Sequence, residues 1–216
     1  MTRGEIKAHV RGWLGIPSND TRRLPETTLH NCITDAIESI CTRRNWPFLL
    51  TQMEDAVLEV GQWQVTLPAD FARPFLVLFW MGGVDEPFEP TVVTYEELLE
   101  AFPVPSYSTE WGTPGIVALV GRTMLAIGPP TTSQMTVMCQ YYKFPAVLAT
   151  DGASNEVTTN LARAVKWFAT AEAADYIFES QRGDLARAKG EAALSEVEID
   201  LTDAARINQT PQIEEP

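Results

Sequence analysis

With 216 residues, 45% of them hydrophobic and 21% charged, the chain has apolar mass for one large or two small cores. Sixteen Lys and Arg stand against 29 Asp and Glu, a formal net charge of −13, which excludes the broad basic surface that grips nucleic-acid phosphates. No apolar run approaches the roughly 18 residues of a membrane span, and three cysteines without CxxC spacing (Cys32, Cys41, Cys139) exclude a disulfide framework and fit a reducing cytosol.

Met1-Thr2-Arg3-Gly4-Glu5 carries charge where a secretion signal carries an apolar block, so no signal is expected. Thr2 caps a predicted helix through Leu14, with Ile6, Val10, Trp13 and Leu14 at helical spacing. Gly15 stops it and Pro17 prevents continuation. Arg22 and Arg23 follow a turn cluster at residues 18–21; they can contact phosphate, but two loop arginines are ordinarily just solvated. A second helix opens at Pro25, and Leu29, Ile33, Ala36, Ile37 and Ile40 form one apolar stripe. Arg43 and Arg44 suit the negative end of its dipole. Pro47 ends the helix near Asn45, leaving Trp46 and Phe48 as anchors where helix meets sheet. His30 has no carboxylate or cysteine partner at ligand spacing and reads as structural.

From Leu49 the period changes. Trp63, Val65 and Leu67 alternate with Gln62, Gln64 and Thr66, a half-buried hairpin strand. Residues 75–80 are a continuous apolar run, which predicts a strand buried on both faces. Thr94 caps a short helix whose early acids, Glu96 and Glu97, suit its positive end. Residues 102–114 form a Pro-, Ser- and Gly-rich loop carrying Tyr107 and Trp111, which either meet a partner or fold back on the core. Residues 116–120 and 123–127 flank Gly121-Arg122, the pattern of a two-residue type II′ hairpin. Met135, Val137, Cys139 and Tyr141 alternate with polar neighbours as a further strand. At least five strands are expected, in a small sandwich or barrel-like sheet.

Asn155 caps a helix in which Val157, Leu161, Ala164, Phe168, Ala171, Ala174 and Phe178 recur, and its alanines permit close approach of a neighbour. Gly183 is expected to break it. A last helix runs from near Asp184 towards Arg206 with Leu194, Val197, Leu201 and Ala205 as its stripe and Gly190 as a weak point. Residues 207–216 hold two aliphatics, Ile207 and Ile213, too few to order the segment alone. The fold class is therefore α+β: a helical bundle from N- and C-terminal helices with a central antiparallel β-domain. The divisions are residues 1–48, 49–150, 151–206 and an extended tail, 207–216.

Charge is uneven. Residues 51–160 hold three Lys and Arg against thirteen Asp and Glu, a surface that nucleic acid slides past or simply one that keeps the chain dissolved. The phosphate-binding, zinc-hydrolase and nucleophile-elbow motifs are absent. Two histidines, His9 and His30, are too few for a triad or a multi-histidine metal site, so no metal or cofactor is expected. Asp85-Glu86 with Glu89, and Glu96-Glu97 with Glu100, are the carboxylate groupings from which a glycoside hydrolase would draw its pair, though an acidic chain contains such groupings by chance.

Several local patterns in order resemble a known family. Arg44-Asn45-Trp46-Pro47-Phe48, then Trp63-Gln64-Val65-Thr66-Leu67-Pro68-Ala69-Asp70-Phe71-Ala72-Arg73, are similar to the head-to-tail adaptor proteins of short-tailed, podovirus-type bacteriophages. Tyr107 with Gly112-Thr113-Pro114, Leu125-Ala126-Ile127-Gly128-Pro129-Pro130 and Tyr141-Tyr142-Lys143-Phe144-Pro145 extend the likeness, which covers roughly residues 5–205. Gly128-Pro129-Pro130 lacks the acidic residue that pattern carries after its prolines. The resemblance implies a structural virion protein and no enzyme. It implies a homo-oligomer, a twelve-subunit ring under the portal protein in the virion neck, made in the host cytoplasm. Such a ring extends the DNA channel without sequence-specific binding, carries the tail nozzle or tail tube protein, and needs no membrane or cofactor. It implies further that Leu194, Val197, Leu201, Ile207 and Ile213 meet the portal, with Tyr107 and Trp111 on the tail side or against a neighbour. The other classes in view are a neck or tail-completion protein that does not touch the portal, and a tail-borne polysaccharide or cell-wall hydrolase.

Overall fold

The structure, a computed structural model, describes residues 1–81, 86–103 and 112–207, with side chains described as far as Glu198. Among the described residues it has six helices: α1 (Arg3–Leu14), α2 (Glu26–Arg43), α3 (Tyr95–Ala101), α4 (Glu156–Asn160), α5 (Ala162–Tyr176) and α6 (Ser180–Ile207). Eight strands lie between α2 and α4: β1 (Leu50–Gln52), β2 (Ala56–Leu58), β3 (Gln64–Thr66), β4 (Phe71–Met81), β5 (Thr91–Val93), β6 (Ile116–Val120), β7 (Met124–Gly128) and β8 (Met135–Lys143). The fold is mixed α+β, with terminal helices and a central strand domain. The chain divides into two compact units, Met1–Arg44 with Pro145–Pro216, and Asn45–Phe144.

In the helical unit the ends follow local chemistry. Thr2 and Glu5 form a capping box at the start of α1, and Gly15 closes it in the left-handed region at φ 66°. Pro25 stands just before α2, one position outside the first turn. α5 packs against α1, α2, α4 and α6. Ala164, Ala169, Ala171, Ala173 and Ala174 are all buried on it, so small side chains let these helices approach.

Three readings of this region change. The helix capped by Asn155 is interrupted at Leu161 (φ −121°, ψ 31°), which splits α4 from α5. The break before the last helix falls at residues 177–179, and Gly183 lies inside α6. Gly190 is no weak point. It is buried, and a Cβ there would sit 3.0–3.1 Å from three ring atoms of Phe168. That ring is itself 2% exposed and lies under the Arg43 guanidinium at 4.5 Å, so it has no room to yield. Gly190→Ala is therefore expected to lose about 1–2 kcal/mol of stability in denaturant unfolding, because overpacking outweighs the roughly 1 kcal/mol of helix propensity it gains.

The strand unit is a sandwich. In one sheet β8 is the hub: β4 pairs antiparallel along one side of it, from Phe71↔Lys143 to Met81↔Met135, while β1 and β2 share the other side end to end. The second sheet runs β3-β7-β6-β5, and its β5–β6 pair is parallel, against the expectation of an all-antiparallel domain. A parallel pair needs a crossover longer than a tight turn, and between β5 and β6 the chain has residues 94–115, α3 among them. Inward residues of both sheets, among them Val77, Phe79, Val117, Leu125 and Val137, form one core. The outer side of the second sheet is covered by α3, whose Leu98 packs on Ala118 and Ala126. The β6–β7 connection has three residues, since Val120 pairs with Met124, and Gly121 takes the left-handed region at φ 61°.

β4 is not buried on both faces. Val77 and Phe79 face the core, while Trp80 is 45% exposed and Leu78 is half-buried on the opposite side. Its apolar run reflects a core face and an apolar outer face of one sheet.

Candidate functional site

Two of the segments behind the family resemblance, around Asp70 and Tyr141, come together in the strand unit. The Tyr141 hydroxyl, from β8, donates to the Asp70 carboxylate at 2.9 Å, and the Phe144 backbone N–H donates to the Asp70 carbonyl at 2.6 Å. Phe71 stacks on Tyr141 with ring centroids 5.2 Å apart and an interplanar angle of 27°. Arg122 lies over the Phe144 ring at 4.8 Å. Burial and then the Asp70 acceptor push the Tyr141 hydroxyl up to about 12, so it stays protonated as a donor. The spacing of Leu67-Pro68-Ala69-Asp70-Phe71 and Tyr141-Tyr142-Lys143-Phe144-Pro145 is thus the two halves of one clasp at the end of the β4–β8 pair. Its role is to fix the register of the two longest strands.

α6 is tied to the rest of the helical unit by charge and packing. Arg43 donates to both carboxylate oxygens of Glu191 at 2.6 Å, Arg163 reaches Glu196 at 2.6 Å and Arg44 reaches Glu198 at 3.1 Å. The Lys189 ammonium lies over both rings of the edge-packed Trp13–Trp167 pair, 4.1 and 4.5 Å from their centroids. Of the residues expected at the portal, Leu194 is 4% exposed and packs inside the unit, and Val197 is half-buried. Leu201 and Ile207 fall on the final stretch of α6, which runs to Ile207. The side chains of Leu201 and Ile207, and Ile213, Tyr107 and Trp111 as a whole, lie outside the described residues.

A feature that spacing does not reveal stands at the α5–α6 corner. The Phe178 N–H donates to the Asp175 carbonyl and the Glu179 N–H to the Ala174 carbonyl, a helix-ending motif that places residue 178 in the left-handed region. Phe178 takes φ 62° there, where glycine is the usual occupant, and its side chain is 94% exposed. Tyr176, two residues before it, is 49% exposed. Phe178 continues the stripe of residues 157–174 by count, which is why its spacing reads as core.

The comparison that decides the family covers nearly the whole chain: the family model described as SU10 adaptor protein matches residues 1–213. The chain belongs to the SU10 adaptor protein family. It is a structural adaptor of the phage type. A comparison with curated proteins finds no match.

In this adaptor one of the carboxylates considered for chemistry has a structural duty. Glu97 is committed to the N-terminus of α3: its carboxylate accepts from the Thr94 N–H at 2.8 Å, and that bond holds its pKa below the usual carboxylate range, the opposite of a general acid. Glu96 and Glu100 are exposed on the same helix, as are Glu86 and Glu89 before β5; Asp85 lies outside the described residues. Burial pushes the Cys32 and Cys139 thiols up to about 11, so neither is poised as a thiolate. His9 is packed edge-on against Trp167 at 4.8 Å, and burial, then the charges of Lys166 and Lys189, lower its pKa. Among the described residues no helix is long and apolar enough to cross a membrane.

Proposed function

We propose that this adaptor assembles as a ring of twelve copies in the virion neck, docks under the portal protein, extends the DNA channel and carries the tail nozzle or tail tube protein. The observation that supports the reading is the extent of the family match, residues 1–213, which takes in both units and most of the tail. DNA passes the lumen without sequence-specific binding, because the strand unit, with three basic against eleven acidic residues, repels phosphate instead of gripping it.

The end of α6 and residues 207–216 are the proposed portal anchor. Leu194 serves as its base, buried in the helical unit, and the ion pairs at Glu191, Glu196 and Glu198 hold the helix up to the point where the anchor starts. Leu201, Ile207 and Ile213 are then the apolar contacts that a partner groove would take. Ten extended residues reach roughly 33 Å, enough to cross a neighbouring subunit. Deleting residues 207–216 is expected to abolish co-sedimentation with the portal while leaving the unfolding midpoint of the isolated chain unchanged. Undiminished portal binding by the shortened chain would place the anchor elsewhere.

A further inference from the structure

His9 stands in surroundings that suit only a neutral ring. It lies half-buried on α1, edge-on to Trp167 of α5 with ring centroids 4.8 Å apart. Trp167 in turn packs edge-on against Trp13 of α1 at 4.9 Å, so the three rings lie where α1 packs on α5. The His9 Nε2 is buried there without a hydrogen-bond partner among the described residues, and so is the Trp13 indole Nε1.

The charges around the ring are positive. From α6 the Lys189 ammonium lies over both indoles, and from α5 Lys166 stands next to Trp167 in the chain; both charges bear on His9. Arg182, near the start of α6, donates to the Leu14 carbonyl at 3.1 Å, one residue from Trp13. The other cations of α1, Arg3, Lys7 and Arg11, turn to Asp151 and Glu26. The acids of the same three helices are engaged elsewhere. Glu5, one turn before His9, accepts from the Thr2 N–H at 2.7 Å. Asp175 and Asp184 take Arg187, Glu179 takes Arg23 and Arg182, Glu191 takes Arg43, Glu196 takes Arg163 and Glu198 takes Arg44. Glu172 bears on Cys32 and Arg187. A proton on His9 therefore adds positive charge beside two lysines, on a ring whose Nε2 has no acceptor. The Trp167 π face, which could offset that charge, already holds the Lys189 ammonium.

We propose that His9 is an acid-sensitive latch: protonating it loosens α1 from α5 and leaves the strand unit untouched. The folded chain resists a proton that the unfolded chain takes up near about pH 6.5, so the latch is secure above that pH and weakens as the pH falls through it. The lowered pKa of His9, caused by burial first and then by Lys166 and Lys189, has the direction this requires. The carboxylates of Glu5, Glu26, Glu97 and Asp151 are all held below their ordinary range and titrate beneath this window.

The test compares the isolated wild-type chain with His9→Phe, which keeps an aromatic edge against Trp167 and takes no proton. Between about pH 7.5 and about pH 5.5, the unfolding constant of the wild type in urea is expected to rise about two- to tenfold more than that of the variant; the upper bound is set by one proton bound to the unfolded chain alone. Hydrogen exchange locates the effect: over the same step α1 amides lose protection in the wild type relative to the variant, and β4 and β8 amides do not. A second measurement leaves position 9 intact. In a His30→Gln chain His9 is the one histidine, and its imidazole proton resonances are expected to titrate below the ordinary histidine range. Should the phenylalanine chain not fold, this titration alone decides. Equal pH responses of wild type and variant, protection lost equally from α1 and the strands, or an imidazole that titrates at or above the ordinary range overturns the proposal.

Discussion

Replacing Arg11 by methionine is expected to remove about 2–4 kcal/mol from the stability of the helical unit. Arg11 is 5% exposed, the one cation buried on α1. Its guanidinium gathers the connection between α1 and α2: one nitrogen donates to the Pro17 and Asp20 carbonyls at 3.4 and 3.1 Å, another to the Leu24 carbonyl and the Glu26 carboxylate at 3.0 and 2.8 Å. Methionine matches the helix propensity and much of the volume, so the loss isolates the hydrogen bonds. The cost is kept below that of a fully buried broken pair because Glu26 is 48% exposed and retains Lys7 at 2.5 Å, the largest cause of its lowered pKa. Lysine at position 11 is expected to recover less than half of the loss, since a single ammonium cannot fork to acceptors on both sides. Urea unfolding followed by far-ultraviolet circular dichroism checks this; a methionine variant within about 0.5 kcal/mol of wild type would show that the loop holds itself.

Arg11 also shows where the sequence stops being legible. Elements whose ends are set by near neighbours read correctly: Thr2 with Glu5 and Thr94 with Glu97 are capping boxes, Gly15 is a left-handed stop, and the α2 stripe from Leu29 to Ile40 is buried as spaced. Arg11 falls on the same face as Val10 and Leu14, but what it binds lies six to fifteen residues away in a connection with no periodicity of its own. Pairing between distant segments was equally hidden. The parallel β5–β6 pair depends on how residues 94–115 travel, which alternation does not encode. Gly183 and Gly190 look alike in the chain, yet a Cβ at the first would meet the end of the Asp175 side chain and at the second the Phe168 ring. Of the candidate site, the short motifs were readable as an ordered set, while the reason for them, the Asp70–Tyr141 bond, needs the register of β4 on β8. The Phe178 corner was invisible because a helix end that uses phenylalanine where glycine belongs leaves no local signal.

The apolar run of β4 provides the second large effect, through a pair of adjacent residues. Phe79→Ala is expected to cost about 3–5 kcal/mol in the strand unit, and Trp80→Ala no more than about 1 kcal/mol. By size and hydrophobicity alone the order would reverse, since tryptophan offers more area to bury. Burial decides it. Phe79 is fully buried between the two sheets, edge-on to Phe88 at 5.6 Å, and its backbone N–H and carbonyl exchange hydrogen bonds with Phe88, so its removal leaves a cavity that a paired strand cannot collapse to fill. Trp80 stands on the other side of the same strand at 45% exposure, where water already reaches much of the ring. The two variants therefore separate the two faces of one strand: Phe79→Ala should lower the denaturant midpoint of the strand unit, and Trp80→Ala should leave it almost unmoved. Equal midpoints for the two would mean that both faces of the sheet are sealed.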